Sequence, residues 1–541
     1  MNPMALTRRD LLGAGLAAAT LPWLPAASLL AKTGKAAGDG ADSKLFLFVD
    51  WFHIQKGELK VSLDPQRLSA AGKKQLETYD HDFNKKFDQS GHGFKSEAPF
   101  GIRIVQETAE HSKPWLVADQ PWEASVSSAT VLFDEGRYRC WYVARLKGES
   151  EATTVDKERV MGVSGSALAY AESTDGMTWT KPKLNILSYQ GSRENNLVCS
   201  FNNGGAVFRD DHGSAEERYK SFLFDKLPED DATPAAGPKA KYGLYGVSSP
   251  DGYHWTKNPK PLVRYFADTT NIASWDPLLQ KYVGYFRHHL NGRTISRAET
   301  TDFWDWPEPQ PLLYSGPMDS PADDYYTNCY TTYPGVPSLR LIFPGIYHHD
   351  SDGVDTRLGI SRDGRGYQWV SYEPIIKLGA PGEWDCGSIY AQPQLVQLPD
   401  GRLALSYSGF SNTHNEVWFK NFYSDYDTKS GIAWALWKDA RLAGIEAESV
   451  GQFSMQSTAF TGKEIQINAR TSRAGSVEFE VRQKGEALKG FSFADCAPFS
   501  GDAVWESCRW KNDANVAELH GKSVEIRFRL RNAKIFACKF V

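Results

Sequence analysis

The chain has 541 residues, which is enough for one to three domains. Of these residues 41% are hydrophobic and 13% are aromatic, so the chain can build a packed core and is not a disordered protein. Its 61 Lys and Arg residues are outnumbered by 66 Asp and Glu residues, and the net charge of −5 provides no basic excess for binding nucleic acid.

The first residues of the chain have the pattern of an export signal. Arg8 and Arg9 precede an apolar stretch over residues 13–30 that ends in small residues. This pattern predicts a twin-arginine signal peptide over residues 1–31 and a flexible leader over residues 32–43, and so a periplasmic or secreted protein. No later apolar run reaches the roughly 18 residues that a membrane helix needs, so the mature form is expected to stay outside the membrane.

The seven cysteines are widely spaced and form no Cys-x-x-Cys or Cys/His zinc pattern. Rossmann, P-loop, serine-elbow and zincin motifs are also absent from the sequence. We therefore expect no metal and no cofactor. Cys496, Cys508 and Cys538 lie in one C-terminal segment, where one disulfide is possible.

A short turn motif recurs through the middle of the chain. Residues 173–179 read Ser-Thr-Asp-Gly-Met-Thr-Trp, altered copies occupy residues 249–255, 300–306 and 361–369, and a faint copy surrounds Asp439. Asp-Gly tolerates the positive φ of a tight turn, and the Trp then opens the next strand. The motif therefore predicts a hairpin at the outer edge of a repeated sheet.

Short, aromatic-rich strands precede each copy of the motif, which defines five repeat units. Units one to five contain their predicted inner strands within residues 127–172, 204–247, 271–298, 328–360 and 390–436. Such an array predicts an all-β fold, with a five-bladed β-propeller over residues 44–442. Alternating strands after residue 442 predict a β-sandwich accessory domain over residues 443–541.

Several motifs carry a resemblance to known families. Lys113-Pro114-Trp115-Leu116, followed by Pro121-Trp122-Glu123, resembles the start of blade one in the five-bladed propellers of glycoside hydrolase families 32, 43, 68, 117 and 130. A closer resemblance is to exported bacterial proteins, abundant in planctomycetes, that are described as glycoside-hydrolase-like. The shared motifs lie at residues 47–50, 268–277, 382–390 and 490–496, which read Leu-Phe-Val-Asp, Asp-Thr-x-Asn-x-x-x-Trp-Asp-Pro, Gly-x-Trp-Asp-x-Gly-x-x-Tyr and Gly-Phe-Ser…Asp-Cys.

This resemblance covers residues 44–541 and implies a propeller enzyme that acts on carbohydrate. The Trp-Met-Asn-Asp-Pro nucleophile motif of family 32 is absent, so the residue roles of that family cannot be transferred to this chain.

Propeller topology indicates which residues can meet. The first strands of all blades start at one face, and the second strands end at that same face. The first-strand starts offer Glu123, Glu194, Asp268, Asp323, Asp324, Glu383 and Asp385. The second-strand ends offer Arg145, Asp225, Arg287, His288, His289, His348, His349 and His414.

Glycoside cleavage uses two carboxyl groups on either side of the bond. Asp268, Asp324 and Asp385 come from different units and are the predicted catalytic residues, because crowding can keep one acid protonated and another ionised. The alternative for each is a turn cap or an arginine partner. The predicted substrate-binding residues are Glu123, Glu194, Arg145, Arg287, His289, His348, Tyr325, Trp384 and Tyr390.

The sequence thus predicts an exported glycoside hydrolase that cleaves the ends of an oligosaccharide or polysaccharide by carboxylate acid/base catalysis. Two alternatives stay open: a polysaccharide lyase that uses His and Tyr, and a non-catalytic glycan-binding propeller. The expected partner is a glycan rather than a nucleic acid. The sugar, its linkage and the oligomeric state are left open by the sequence.

Overall fold

The computed structural model describes residues 44–57, 59–60, 66–78, 95–96, 98–147, 160–161, 165–201, 205–228, 241–416, 428–511 and 514–541. The predicted signal peptide and leader lie outside these residues. The described chain is almost entirely β, as the sequence predicts. Within these residues, no helix is long and apolar enough to cross a membrane.

A segment of short elements precedes the repeat units. It contains β1 (Lys44–Leu47), β2 (Leu59–Lys60), α1 (Ala70–Thr78), β3 (Lys95–Ser96), β4 (Arg103–Gln106) and β5 (Glu110–His111).

Units one, two and three each form one sheet, with the first strand of the unit at or near one edge. Unit one contains β6 (Glu123–Asp134), β7 (Arg137–Leu146), β8 (Val160–Met161), β9 (Ser166–Ser173) and β10 (Leu197–Phe201). Unit two contains β11 (Phe208–Arg209), the 3₁₀ helix Ala215–Glu217, β12 (Tyr219–Lys226), β13 (Tyr242–Ser249) and β14 (Thr256–Val263). Unit three contains β15 (Ile272–Asp276), β16 (Lys281–His289), β17 (Arg293–Thr300) and β18 (Gln310–Leu313).

Units four and five do not each form one sheet, because their strands are divided between two sheets in another way. Unit four contains β19 (Asp323–Thr327), β20 (Tyr330–Tyr333), β21 (Val336–Ile342), β22 (Gly345–His348), β23 (Val354–Thr356), β24 (Gly359–Ser361) and β25 (Gln368–Trp369). Unit five contains β26 (Ser388–Ala391), β27 (Val396–Gln397), β28 (Leu403–Phe410) and β29 (Ser430–Trp437). Four of the unit-four strands, β20, β21, β24 and β25, form a fourth separate blade.

The prediction of five separate blades is therefore wrong for the described residues. The strands of unit five lie in an eight-stranded sheet together with β19, β22, β23 and the N-terminal strand β5. Pro344 separates β21 from β22, because proline has no N–H to continue the ladder. The hairpin of β22 and β23 also joins unit five, through a parallel bridge between Val354 and Ser388.

The recurring turns lie between the third and outermost strands of the blades, as the motif predicts. In unit two, Asp251 accepts backbone N–H bonds from Tyr253 and His254, and Gly252 has φ of 80°. The Trp255 indole donates to the Gly252 carbonyl oxygen at 3.0 Å. These turns are thus structural and stand apart from the first-strand starts.

Apolar cores lie between neighbouring sheets. Trp141 packs beside Tyr219 between units one and two, and Phe222 beside Phe286 between units two and three. Trp434 of unit five packs in the core of unit one, so the first and last units are neighbours. Burial of each such side chain stabilises the fold by roughly 1.5–3 kcal/mol.

The C-terminal strands build a second eight-stranded sheet. Six of its strands come from this region: β30 (Ala443–Ser454), β31 (Thr458–Ala459), β32 (Ile465–Gln483), β33 (Glu486–Ala487), β35 (Asp502–Ser507) and β37 (Ser523–Phe540). The strands β34 (Cys496–Ala497) and β36 (Arg509–Trp510) pair with each other in a separate two-stranded sheet, and a 3₁₀ helix lies at Val516–Leu519. The N-terminal strands β1 and β4 join this sheet by pairing with β37 and β30. The predicted β-sandwich and its boundary at residue 442 stay predictions.

Candidate functional site

Asp268 lies just before the first strand of unit three and faces its second strand. Its carboxylate accepts a hydrogen bond from Arg287 Nη1 at 3.0 Å, and 40% of its side chain is exposed. Arg287 is buried, and its Nε donates to the Tyr326 carbonyl oxygen at 2.9 Å. The arginine thus connects an exposed carboxylate of unit three to the first strand of unit four.

Asp324 is the second residue of that first strand, and its side chain contacts unit three. It accepts hydrogen bonds from the Arg293 backbone N–H at 3.2 Å and from Arg293 Nη1 at 3.0 Å. Gly292 has φ of 111°, and a Cβ there would lie 2.4 Å from the Asp324 carboxylate. Glycine is therefore required at the turn for this close approach. His349 Nε2 lies 3.1 Å from the other carboxylate oxygen.

Aromatic rings lie between these two carboxylates. The guanidinium groups of Arg287 and Arg293 lie 4.4 Å and 4.9 Å from the Tyr326 ring centroid. The Tyr326 ring contacts His414 at 4.5 Å, and the Tyr390 hydroxyl lies 2.7 Å from His414 Nδ1. Unit five therefore contributes Tyr390 and His414 to the same group of side chains.

We name this group the Asp268–Asp324 cluster. Its members are Asp268, Arg287, His289, Arg293, Asp324, Tyr326, Tyr347, His349, Tyr390 and His414. Burial and then the charge of Arg293 lower the pKa of His414 to about 4. Burial and then Arg287 lower the pKa of His289. Both imidazoles are therefore neutral, and burial and the arginine charges make each a weaker base than a free histidine.

The opposite face of β19 holds a separate group of charges, which we name the His348 network. Its members are Asp319, Asp323, Tyr325, His348, Asp355 and Arg357. His348 bonds to Asp323 at 2.8 Å and to Asp355 at 3.1 Å. The hydrogen bond to Asp355, followed by further contributions from both acids, raises the pKa of His348 to about 9.

Strand register explains why two predicted site residues belong to this network. The pairing of β19 with β22 sets His348 opposite Asp323 and Tyr347 opposite Asp324. Alternate residues of a strand point to opposite faces. The structure therefore brings Tyr326 and His349 to the cluster, and it turns the predicted Tyr325 and His348 away.

The structure does not bring Asp385 to the other two predicted catalytic residues. Asp385 is buried before β26, and its carboxylate contacts Tyr407 at 2.8 Å and His111 at 2.9 Å. Burial acts to raise its pKa, but the hydrogen bonds from His111 and Tyr407 outweigh it, and the pKa is lowered. The predicted sugar-stacking Trp384 stacks on Tyr407 instead.

Three predicted binding residues lie in unit one, away from the cluster. Glu123 is fully buried and bonds to Lys181 at 2.7 Å and to the Tyr142 hydroxyl at 2.6 Å. Glu194 is exposed and pairs with Lys183. Arg145 is exposed at the end of β7. Of the predicted binding residues, only Arg287, His289 and Tyr390 join the cluster.

Sequence reasoning missed Arg293, Tyr326 and Tyr347. Tyr326 lies two residues after Asp324, so strand alternation could have identified it. Arg293 starts β17 after a glycine turn, and nothing in its local sequence distinguishes it from a surface arginine.

A cavity of about 900 Å³ lies elsewhere in the described residues. Its walls include Asp134 at the end of β6, Arg209, Pro334 and Gly401, and none of the predicted site residues. Asp134 is already bonded to Arg209 and Arg218. The main charged groups in the walls of this cavity are therefore already paired with other side chains of the protein.

Neither a metal site nor a disulfide is found in the described residues. No group of three or more His, Cys, Asp or Glu side chains there is arranged to hold a metal ion. All seven cysteines are free thiols. Burial raises the pKa of the Cys496 thiol to about 11, so it is protonated and unreactive at neutral pH.

No protein-family model matches the chain, and no curated protein matches it. Among solved structures, it is similar to a glycosyl hydrolase from Bacteroides ovatus, with a TM-score of 0.40 and 13% identity over 62% of this chain and 95% of that one. It is also similar to an exo-inulinase from Aspergillus awamori, with a TM-score of 0.38 and 11% identity over 80% of this chain and 99% of that one. A third is an α-L-arabinofuranosidase from Podospora anserina, with a TM-score of 0.38 and 12% identity over 62% and 98%. Similarity at this level carries no argument about activity.

Proposed function

We propose that this protein is a glycan-cleaving enzyme, an exo-acting glycoside hydrolase, whose site is the Asp268–Asp324 cluster. One observation supports this most directly. Carboxylates from two neighbouring units converge on one arginine–tyrosine group, and one of them, Asp268, is substantially exposed. A glycosidase needs such an exposed carboxylate beside a sugar-binding surface.

The roles follow from exposure and hydrogen bonding. Asp268, held by Arg287, supplies the carboxylate that either takes a proton from the water attacking the sugar carbon, or attacks that carbon itself and is later displaced by water. His349 is 52% exposed, and Asp324 orients it through its Nε2. We assign His349 as the proton donor to the leaving oxygen, which takes the electron pair of the broken glycosidic bond. Tyr326 and Tyr390, which are partly exposed, provide rings for stacking against the sugar.

Replacement of Asp268 tests this assignment. Aryl glycosides, and algal and plant polysaccharides, serve as the substrate panel. Asp268→Asn should lower the rate by about a hundredfold or more, in line with acid/base catalysis. The melting temperature should fall only slightly, because Asn keeps an oxygen that can accept the hydrogen bond from the buried Arg287. The matched control is Glu194→Gln, which neutralises an exposed carboxylate of unit one. Full activity in the Asp268 variant would refute the proposal.

A lyase is the second candidate, and one observation favours it. The neutral His414 bonds to Tyr390, and Arg293 lies near the rings of Tyr326 and Tyr347. A histidine base, a tyrosine acid and an arginine that binds a uronate carboxylate could together perform β-elimination. The products separate the candidates: a lyase forms an unsaturated uronate that absorbs ultraviolet light, a hydrolase adds water, and a glycan-binding propeller releases no product.

We also propose export to the periplasm or beyond by the twin-arginine route, on the strength of Arg8 and Arg9. Replacing both with Lys keeps the charge and removes the pair. The variant should accumulate in the cytoplasm, and unchanged export would contradict the proposal.

A further inference from the structure

Two aromatic side chains are exposed at a turn far along the chain from the Asp268–Asp324 cluster. Trp51 is 49% exposed and Phe52 is 44% exposed. They line a cavity of about 580 Å³ together with Gln55, Lys56 and Gln456. Large exposed rings in one place mark a binding surface more often than a folding defect.

The turn that carries these rings is firmly held. Arg362 bonds to both carboxylate oxygens of Asp50 at 2.8 and 2.9 Å, and Asp50 in turn accepts the Phe52 N–H at 3.1 Å. The Arg362 guanidinium lies 4.5 Å from the Phe52 ring centroid and fixes that ring. Binding would therefore need little ordering of the protein, which lowers its entropic cost.

Hydrogen bonds also join this turn to the residues at the end of β30. The Gln55 N–H donates to the Ser454 carbonyl at 2.9 Å, and the Gln456 N–H donates to the His53 carbonyl at 2.8 Å. The Gln456 side-chain amide donates to the Phe52 carbonyl at 3.1 Å. Amide groups are thus placed at fixed positions beside the two rings.

The lining indicates what chemistry this cavity can recognise. The apolar C–H face of a sugar stacks on an aromatic ring, and its hydroxyl groups exchange hydrogen bonds with amides and ammonium groups. No carboxylate lines the cavity, so neither a neutral sugar nor a sugar carboxylate would be repelled. Two rings beside amides suit a short stretch of sugar units better than a flat protein interface, which needs a larger apolar core.

We propose that Trp51 and Phe52 form a second, non-catalytic glycan-binding site that holds the protein on a polysaccharide. This goes beyond the proposed cleavage, because none of these residues contacts the Asp268–Asp324 cluster. Only the choice of a glycan as ligand rests on the proposed function.

Affinity electrophoresis in gels containing soluble xylan, mannan or arabinan tests the site. The wild-type protein should be retarded by at least one of them, and Trp51→Ala should lose at least tenfold in affinity on that gel. The control is Phe133→Ala, which removes a ring that is equally exposed but lies in unit one. A melting temperature measured for each variant excludes unfolding as the cause.

The outcomes separate this site from the catalytic one. Asp268→Asn should keep its retardation, and Trp51→Ala should keep its rate on a small aryl glycoside. If no substrate is cleaved but retardation depends on Trp51, the proposed function fails and the binding site stands. The binding site is refuted if no gel retards the wild type, or if Trp51→Ala is retarded as strongly.

Discussion

The two faces of β19 place similar residues in opposite situations. On one face, Asp324 and Tyr326 join a cluster that includes the half-exposed Asp268 and His349. On the other face, Asp323 and Tyr325 are buried in the His348 network, where each carboxylate is bonded to an imidazole, a guanidinium or a hydroxyl group. Residue type alone therefore does not distinguish a site from a structural network.

The two groups differ in their exposure to solvent and in how completely their charged side chains are already bonded within the protein. In the His348 network, carboxylates bracket both positive groups, so a polar substrate would have to displace strong buried bonds. In the Asp268–Asp324 cluster, Arg293 holds the buried Asp324 and Arg287 holds Asp268, while the exposed portions of Asp268 and His349 face solvent. Substitutions on the two faces should thus affect stability and activity separately.

The largest separation is expected between Asp323→Asn and Asp324→Asn. The first leaves a protonated His348 and a buried Arg357 short of a partner and should lower the free energy of unfolding by about 3 kcal/mol. The second weakens the hold on His349 and should lower kcat by about a hundredfold with a smaller effect on KM. Urea unfolding and steady-state kinetics on both variants measure the two effects.

The distinction between the two faces of β19 is refuted if Asp323→Asn and Asp324→Asn have the same effects on stability and kcat. Equal losses of stability with unchanged turnover per folded molecule would place Asp324 among the structural residues. A loss of kcat in Asp323→Asn at full stability would place the site on the opposite face.

The pH dependence of stability should also differ between the faces. The pKa of His348 is raised in the folded state from 6.5 to about 9, so its stabilising effect is complete below pH 6.5 and is lost as pH rises through 9. The loss should be about 3 kcal/mol, and His348→Gln should abolish it. The measurement is the free energy of unfolding at about pH 6 and about pH 10, with His349→Gln as the neighbouring control.

If His348→Gln and wild type lose equal stability over this range, other groups titrate and His348 is not held as a cation. The same result in His349→Gln as in wild type would confirm that the effect belongs to one face of the strand.

The sequence predicts the fold better than the site for a physical reason. Repeated Asp-containing turns, most of them Asp-Gly, and short aromatic strands identify the units, because a tight turn with positive φ favours glycine and each strand needs its own apolar face. Propeller topology then predicts that Asp268, Arg287, His289 and Asp324 lie at one face, and the structure brings these four together.

Register is what the sequence leaves open. His348 and His349 are adjacent, and a shift of one residue exchanges their faces, so only the pairing of β19 with β22 decides between them. Asp385 precedes its strand by three residues, and the turn there folds it onto Tyr407 and His111. Unit five and the hairpin of β22 and β23 belong to one sheet through a single long-range bridge, between Val354 and Ser388. The sequence does not indicate this bridge either.

The smallest expected effect compares Tyr325→Phe with Tyr326→Phe. The buried Tyr325 hydroxyl donates to Asp319 at 3.0 Å, and Asp319 is also bonded to Arg357. Its removal should cost about 1 kcal/mol of unfolding free energy, the usual value for one hydrogen bond, with no change in kinetics. The Tyr326 ring keeps its contacts with Arg287 and Arg293 when only the hydroxyl is lost, so Tyr326→Phe should change stability by less than about 0.5 kcal/mol. Any change in the second variant should appear in KM, and a stability loss larger than that of Tyr325→Phe would show that the cluster, too, is built chiefly to hold the fold.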